Sequence, residues 1–218
     1  MTSALYIFIG AFEAFALLTA TLKLFRFKVS FYLKDFVVMS IVLSLSSYLI
    51  RIVFEAPWFD IPLTMCAIIV FMNYVIKVRL QYAVIITLSG YAFYTAVQSL
   101  LFLVLNITIN FDSSMLMESY GVYLYLLQIA TAGGTMLISN FLNAIGLGFT
   151  FIIHPPHSDM TKFSKKENKV FYAAIVTFLI LTASTVFLLS GYAWLAYIIV
   201  LLNFSLLYYM LHRRSEQE

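Results

Sequence analysis

The sequence predicts an all-α polytopic integral membrane protein, a bundle of seven transmembrane helices with its N-terminus outside and its C-terminus in the cytoplasm. Three observations lead there. Of 218 residues, 63% are hydrophobic and 11% charged, with a mean hydropathy of +0.97; a soluble domain is nearer half apolar and about a quarter charged. Several apolar runs reach the roughly 20 residues that a helix needs to cross a ~30 Å hydrocarbon core. Lysine and arginine are confined to alternate connections between these runs. Solid apolar runs also argue against a transmembrane β-barrel, whose strands are alternating segments of about ten residues.

The first run is Ala4 to Leu22. No basic residue precedes it and no small-residue cleavage site follows it, so it reads as a retained span rather than a removable signal peptide. Lys23, Arg26, Lys28 and Lys34 come next, then a second run, Phe36 to Phe54, broken by Glu55-Ala56-Pro57-Trp58. The third, Ile61 to Ile76, is short. Asp60 is its expected N-cap, and Pro62 is tolerated in the first turn. Lys77 and Arg79 close it. A fourth run, Leu80 to Leu105, leads into a polar segment, Asn106 to Tyr120, that holds Asp112 and Glu118.

The fifth run, Gly121 to Ile153, is the longest. As one helix its 33 positions would span about 50 Å, so it is expected to tilt, to bend near Gly146 and Gly148, or to project beyond the bilayer. His154-Pro155-Pro156-His157 ends it, since proline stops a helix, and Lys162, Lys165, Lys166 and Lys169 follow. The sixth and seventh runs, Val170 to Leu189 and Tyr192 to Leu211, are separated by Ser190-Gly191 alone. The chain thus divides into one transmembrane domain, residues 1–212, and a short cytoplasmic tail, residues 213–218.

Seven spans with the N-terminus outside put twelve of the thirteen Lys and Arg residues on inner segments, Arg51 being the exception. Glu55, Asp60, Asp112 and Glu118 fall on outer ones. This is the positive-inside pattern, and it holds at all four inner segments. Basic inner loops hold anionic lipid headgroups and are no evidence of nucleic-acid binding.

Gly121 to Ile153 also carries a stripe of small and polar residues, Gln128, Ala132, Thr135, Ser139, Asn143 and Gly146, at helical spacing. A second track, Gly133, Asn140, Ala144 and Gly148, runs beside it. In lipid, small residues let backbones approach closely and amides bond across the contact. The fifth helix is therefore expected to be the hub of the bundle. The same tracks allow a homodimer as well as packing within the chain.

Ionisable groups inside a span are functional-site candidates by default. Glu13 lies mid-span on a face with Gly10, Leu17 and Ala20, which turns it toward another helix. A proton-linked switch, a ligand contact and a protonated structural glutamate are all open to it. Arg51 ends a stripe of Ser40, Ser44 and Ser47. It can snorkel to the interface, pair with Glu13, Glu55 or Asp60, or meet an anionic group on a ligand. The fourth helix adds Thr87, Tyr91, Tyr94 and Gln98 on one face, and Asn73 and Asn203 add single amides. Such groups line a cavity or act as interhelical glue. Cys66, the one cysteine, reads as a small buried hydrophobe.

Motifs for chemistry are missing. The prolines between His154 and His157 prevent a helical metal pair, and Cys66 has no histidine on its side of the bilayer to act as a base. There is no P-loop, HExxH or GxSxG pattern. The last span has no lysine for a retinal Schiff base, and the Pro-Gln signature of small seven-helix sugar transporters is absent. No catalytic residue, metal or cofactor is expected.

The order of features resembles the membrane sensor domain of Agr-type peptide-receptor histidine kinases. The matching parts are the long fifth helix, the Pro-Pro and lysine-rich inner segment, two closely spaced final spans, and Leu211-His212-Arg213-Arg214. The resemblance covers residues 1 to 212. It implies a small hydrophobic, often cyclic, peptide bound from outside, and a bacterial plasma membrane. The kinase region, with its phospho-accepting histidine and glycine boxes, has no counterpart in these 218 residues. Kinase activity is then expected from a separate chain or a longer protein.

The expected function is a non-enzymatic receptor or sensor for a small extracellular ligand, peptide-like or hydrophobic, that signals to a cytoplasmic kinase or other partner. Its ligand-binding residues are expected to be Glu13, Arg51, Trp58, Tyr91, Gln98, Gln128 and Trp194. The alternatives are a small transporter or permease subunit with Glu13 as coupling site, and an accessory membrane subunit.

Overall fold

The computed structural model describes residues 3–109, 122–152 and 165–216. Each of the seven apolar runs forms a helix: α1 (Ser3–Leu24), α2 (Leu33–Tyr48), α3 (Asp60–Tyr74), α4 (Leu80–Ile109), α5 (Val122–Ala144), α6 (Lys165–Leu189) and α7 (Ala193–Ser215). With the helical turns that extend α2 and α3, all seven are long and apolar enough to cross a membrane. Their directions alternate. At one end Lys23 donates to Asn140, the Phe149 N–H bonds the Leu24 carbonyl at 2.8 Å, and the Tyr82 hydroxyl donates to Glu167 at 2.9 Å. At the other, the Tyr48 hydroxyl meets Ser3 at 3.0 Å and Ser47 meets Asp60 at 3.0 Å. The first end collects every described lysine and arginine except Arg51, and is called the basic end below.

The centre of the bundle is α4, which packs on α1, α3, α5, α6 and α7. Most of α4 and of α1 is buried, but less than half of α5, which rests mainly on α1 and α4. The expectation of α5 as hub is therefore corrected: the longest apolar run is not the most enclosed one. Its first track does face inward, with Gln128, Ala132, Thr135 and Ser139 buried and Asn143 exposed. The second track is divided: a methyl group at Gly133 would meet nothing within 4 Å, whereas Asn140 accepts from Lys23 and Gly148 lies against Leu24 and Arg26.

Nor is Gly121 to Ile153 one helix. Gly146 takes φ +72°, with Leu147 N–H bonded to the Leu142 carbonyl at 2.8 Å and Gly146 N–H to that of Asn143 at 3.3 Å. This is the left-handed stop that glycine adopts without a Cβ penalty. The chain then turns under the bundle, burying Phe149, Phe151 and Ile152 against Phe25 and α7. The His154–His157 stop, Lys162 and the Asn106–Tyr120 segment from residue 110 on lie outside the described residues.

Two more local expectations change. Cys66 is exposed on the outer surface of α3 rather than buried. Asn73 does not reach another helix but donates to the Val78 carbonyl at 2.9 Å, closing the turn after α3. The seventh helix runs to Ser215, so the first residues of the expected tail are helical. Asn203 behaves as glue, accepting from Thr177 across α6 and α7 at 3.4 Å.

Around this core the surface is apolar. Phe8, Val38, Val42, Leu126, Leu137, Leu179, Leu202 and Leu206 are among many exposed large hydrophobics, far beyond the apolar patches that a monomeric soluble protein leaves open to water.

Close backbone approach fixes α1 against α4. A Cβ built on Gly90 would stand 2.1 Å from Thr21 Oγ1 and 2.8 Å from Thr21 Cα, so the helices would have to part. Gly90→Ala is expected to destabilise the purified protein by about 1–3 kcal/mol, the usual cost of overpacking. Gly133→Ala is expected to be neutral or slightly stabilising, since alanine is the better helix former. Thermal unfolding of both variants in one detergent checks the contrast.

Candidate functional site

At the end opposite the basic one, five helices leave a polar cavity between them. α1 contributes Tyr6, Gly10, Glu13, Ala14 and Leu17; α2 and the turn after it contribute Leu43, Ser44, Ser47 and Arg51; α3 gives Asp60 and Thr64, α4 gives Tyr91 and Tyr94, and α5 gives Gln128. The volume is about 70 Å³. That is room for a few waters or a group of similar size, well short of the roughly 300 Å³ at which drug-sized ligand pockets begin.

Local chain geometry sets the charged groups in place. The last turn of the second span, Leu49–Val53, is π-helical, and Phe54 N–H bonds the Leu49 carbonyl at 2.9 Å. A π turn widens the helix and re-aims the side chains it carries; here it carries Arg51. Glu55 then takes a left-handed φ of +52° and Pro57 opens a short 3-10 turn, so the chain reverses within a few residues into α3. This reversal brings Asp60 against Arg51. One carboxylate oxygen, Oδ2, accepts from Arg51 Nε and from Ser47 Oγ, the latter at 3.0 Å. Asp60 is only 4% exposed. The sequence-based N-cap role is thus overturned: Asp60 is the first helical residue of α3, and its carboxylate goes to Arg51 rather than to the backbone N–H groups.

Glu13 sits deeper, on the face of α1 that carries Gly10 and Leu17 into the bundle. The Tyr94 hydroxyl and the Gln128 amide face it, and Arg51 and Asp60 lie within electrostatic range. Gly10 brings α2 close: Ser44 Oγ would be 2.7 Å from a Cβ there, and it donates to the Ile7 carbonyl at 2.6 Å. One polar atom on the wall, Asp60 Oδ1, is buried without a hydrogen-bond partner among the described residues. On the far side, Tyr6 packs edge-on to Tyr48 with ring centroids 5.7 Å apart, and joins Ile9 and Tyr125 in a small apolar layer.

Of the seven residues expected from sequence, the structure gathers four, Glu13, Arg51, Tyr91 and Gln128, on this one cavity. It leaves out three. Trp58 and Trp194 are 48% and 60% exposed on the bundle surface. Gln98 lies two helical turns beyond Tyr91 and does not reach the cavity. Asp60, one of the three acids the sequence offered to Arg51, and Tyr94, on the polar face of α4 with Tyr91, join the four on the wall although neither was among those seven. A buried acid at the basic end also went unread: Glu167 accepts from Tyr82 and lies 3.7 Å from Arg214.

A second cavity, about 210 Å³, lies at the basic end between Leu24, Arg26, Gly148, Tyr208, His212 and Ser215. Its one acid, Glu216, is exposed and paired with His212 at 3.2 Å.

Compared with models of protein families, with curated proteins and with solved structures, the chain matches none.

Removing one partner of a buried ion pair strands the other charge and typically costs about 3–5 kcal/mol. Asp60→Ala is expected to lower stability by that order, while Trp58→Ala and Trp194→Ala each stay within about 0.5 kcal/mol as surface changes do. Denaturation of the three variants under one set of conditions tests the ranking.

Proposed function

We propose that the chain is a non-enzymatic membrane receptor or sensor, with its N-terminal end outside the cell and its basic end in the cytoplasm. In this reading a small polar ligand enters the cavity around Glu13, Arg51 and Asp60, and the altered packing is passed along the helices to a cytoplasmic partner. One observation carries the reading: three ionisable side chains from successive spans converge on a single cavity near one end of the bundle. Intramembrane charges are costly and are retained where they bind or switch. The exposed apolar surface supports insertion, since a bilayer covers it, and the twelve inner lysines and arginines support the orientation.

The cavity's size argues for a small polar ligand there rather than the hydrophobic peptide that the sequence resemblance implies. Its depth argues against a transport path. Below Leu17 the interior is closed by Leu18, Leu22, Phe25, Met65, Met72 and Ile86, all fully buried, and no charged group interrupts them. A ligand bound here reshapes the helices without a route to the other side. Such a response requires that it bind one packing better than another.

Two measurements test this. In a Cys66→Ser background, an impermeant thiol reagent applied to intact cells is expected to label Ser3→Cys and to spare Ser215→Cys; the reverse pattern inverts the orientation and ends the proposal. In lipid nanodiscs, spin labels at positions 23 and 215 are expected to change separation by about 1–2 Å, the scale of helix shifts in switching proteins, when Asp60→Asn loosens the Arg51 pair. An unchanged separation contradicts sensing, and Glu13-dependent uptake into proteoliposomes replaces it with transport.

A further inference from the structure

Resting on the receptor reading above, we infer that the ligand is a small ammonium cation, an amine of methylammonium size whose N–H bonds are taken up by Glu13, Asp60 and the ring of tyrosines. The charges on the wall point that way. Arg51 brings one positive charge, but Asp60 already occupies its Nε, and these two cancel. Among the described residues no ion pair closes on Glu13, so an ionised Glu13 leaves the cavity with one negative charge to be met.

The unfilled hydrogen-bond capacity agrees in sign. Asp60 Oδ1 is buried and accepts from nothing among the described residues. A carboxylate oxygen can only accept, so what completes it is a donor. The Tyr94 hydroxyl hydrogen-bonds Glu13 and keeps a lone pair for a second donor. A stranded buried acceptor such as Asp60 Oδ1 is costly, and it marks where a bound group would be stabilised. Tyr6, Tyr91 and Tyr94 add aromatic rings to the same wall, and ring faces attract a desolvated cation. Acceptors, a negative charge and ring faces together describe an ammonium group.

Other ligand classes fit less well. An anion would meet Glu13 and Asp60, and would have to displace Asp60 from Arg51. An amino acid could place its amine at Glu13, but its carboxylate would compete with Asp60 for the same guanidinium. A quaternary ammonium has no N–H to offer the two carboxyl groups. Volume sets the remaining limit: about 70 Å³ takes a group the size of a few waters and excludes a bulky amine.

The test uses the full chain in nanodiscs. Thermal unfolding is followed in methylammonium chloride, with sodium chloride, tetramethylammonium chloride, glycine and sodium acetate at matched ionic strength. Methylammonium alone is expected to raise the melting temperature of the wild type. Glu13→Gln is expected to weaken its binding by about tenfold or more, the loss of one hydrogen bond to a charged group. Where that variant does not fold, Tyr94→Phe keeps the ring and removes the hydroxyl, and its Kd for methylammonium is expected to rise. Equal stabilisation by sodium overturns the inference. So does stronger binding of glycine or acetate, a response to pH alone without any added amine, or a Kd that Tyr94→Phe leaves unchanged. Failure of the receptor reading looks different: methylammonium binds but is carried into proteoliposomes in a Glu13-dependent way.

Discussion

Arg51 and Asp60 are opposite charges held against each other at the cavity, the aspartate side chain 6% exposed and the arginine 35%, and the polar half of the bundle is arranged around that contact. Neither is tolerable alone in such surroundings, because the penalty for a buried unpaired charge exceeds that of the paired one by several kcal/mol. The pair therefore dictates how the second span ends. An ordinary α-helical turn through Leu49–Val53 would aim residue 51 differently; the π turn is the local distortion that lets its Nε meet Asp60. The left-handed Glu55 and the short turn from Pro57 follow from the need to bring α3 back at once. Ser47 adds a hydroxyl to the same carboxylate oxygen, which leaves the other oxygen turned to the cavity wall without a partner. One constraint thus generates both the rigid feature and the unsatisfied one.

The seven spans were legible because their signal is collective. Apolar length and alternating charge are sums over many residues, and no single side chain can overturn them. The site was legible in part for a similar reason. Glu13, Arg51, Tyr91 and Gln128 stand out because polar groups within apolar runs are rare, and a bundle has few places to put them other than together. What failed were inferences from one residue. Asp60 before a short apolar run has the sequence look of an N-cap, but it was also one of three acids open to Arg51, and the return of the chain after Pro57 selects it. Trp58 and Trp194 look like anchors, yet aromatic residues near span ends also settle at membrane interfaces, and both point away from the bundle. The hub was misplaced because the longest run was equated with the most enclosed one. α4 is central, using Gly90 where α1 crosses it. The end of α5 at Gly146 was visible as a glycine, but whether it bends or stops a helix depends on what the next residues can bury. Phe149, Phe151 and Ile152 bury themselves under α1, and that contact is long-range.

The two ends of the bundle differ in how they are held, and the difference bears on what the molecule can do. Around the cavity, contacts are polar, directional and incompletely satisfied. Below it the interior is close-packed around Leu18, Leu22, Met72 and Ile86, with the Thr21, Thr87 and Ser89 hydroxyls buried among them, and a close-packed interior transmits displacement instead of absorbing it. At the basic end the contacts become polar again: Tyr82, Glu167 and Arg214 join α4, α6 and α7, while Arg214 also lies over the Phe151 ring at 5.6 Å.

α4 is the element common to all three. It presents Tyr91 and Tyr94 to the cavity, Gly90 to α1 and Tyr82 to Glu167. Tyr82 and Tyr91 are nine positions apart, about 13 Å along an unbroken helix. With no proline or π turn between them to decouple the two, a rotation of α4 that changes how Tyr91 and Tyr94 face the cavity also carries the Tyr82 hydroxyl. Glu167 would then have to follow it or lose that bond, and Arg214, at the last turn of α7, shares the same carboxylate oxygen. The Gly90–Thr21 contact, where the two backbones come closest, lies between these tyrosine positions. One unbroken helix thus carries the cavity wall, the crossing with α1 and the bond to the Glu167 carboxylate that Arg214 shares.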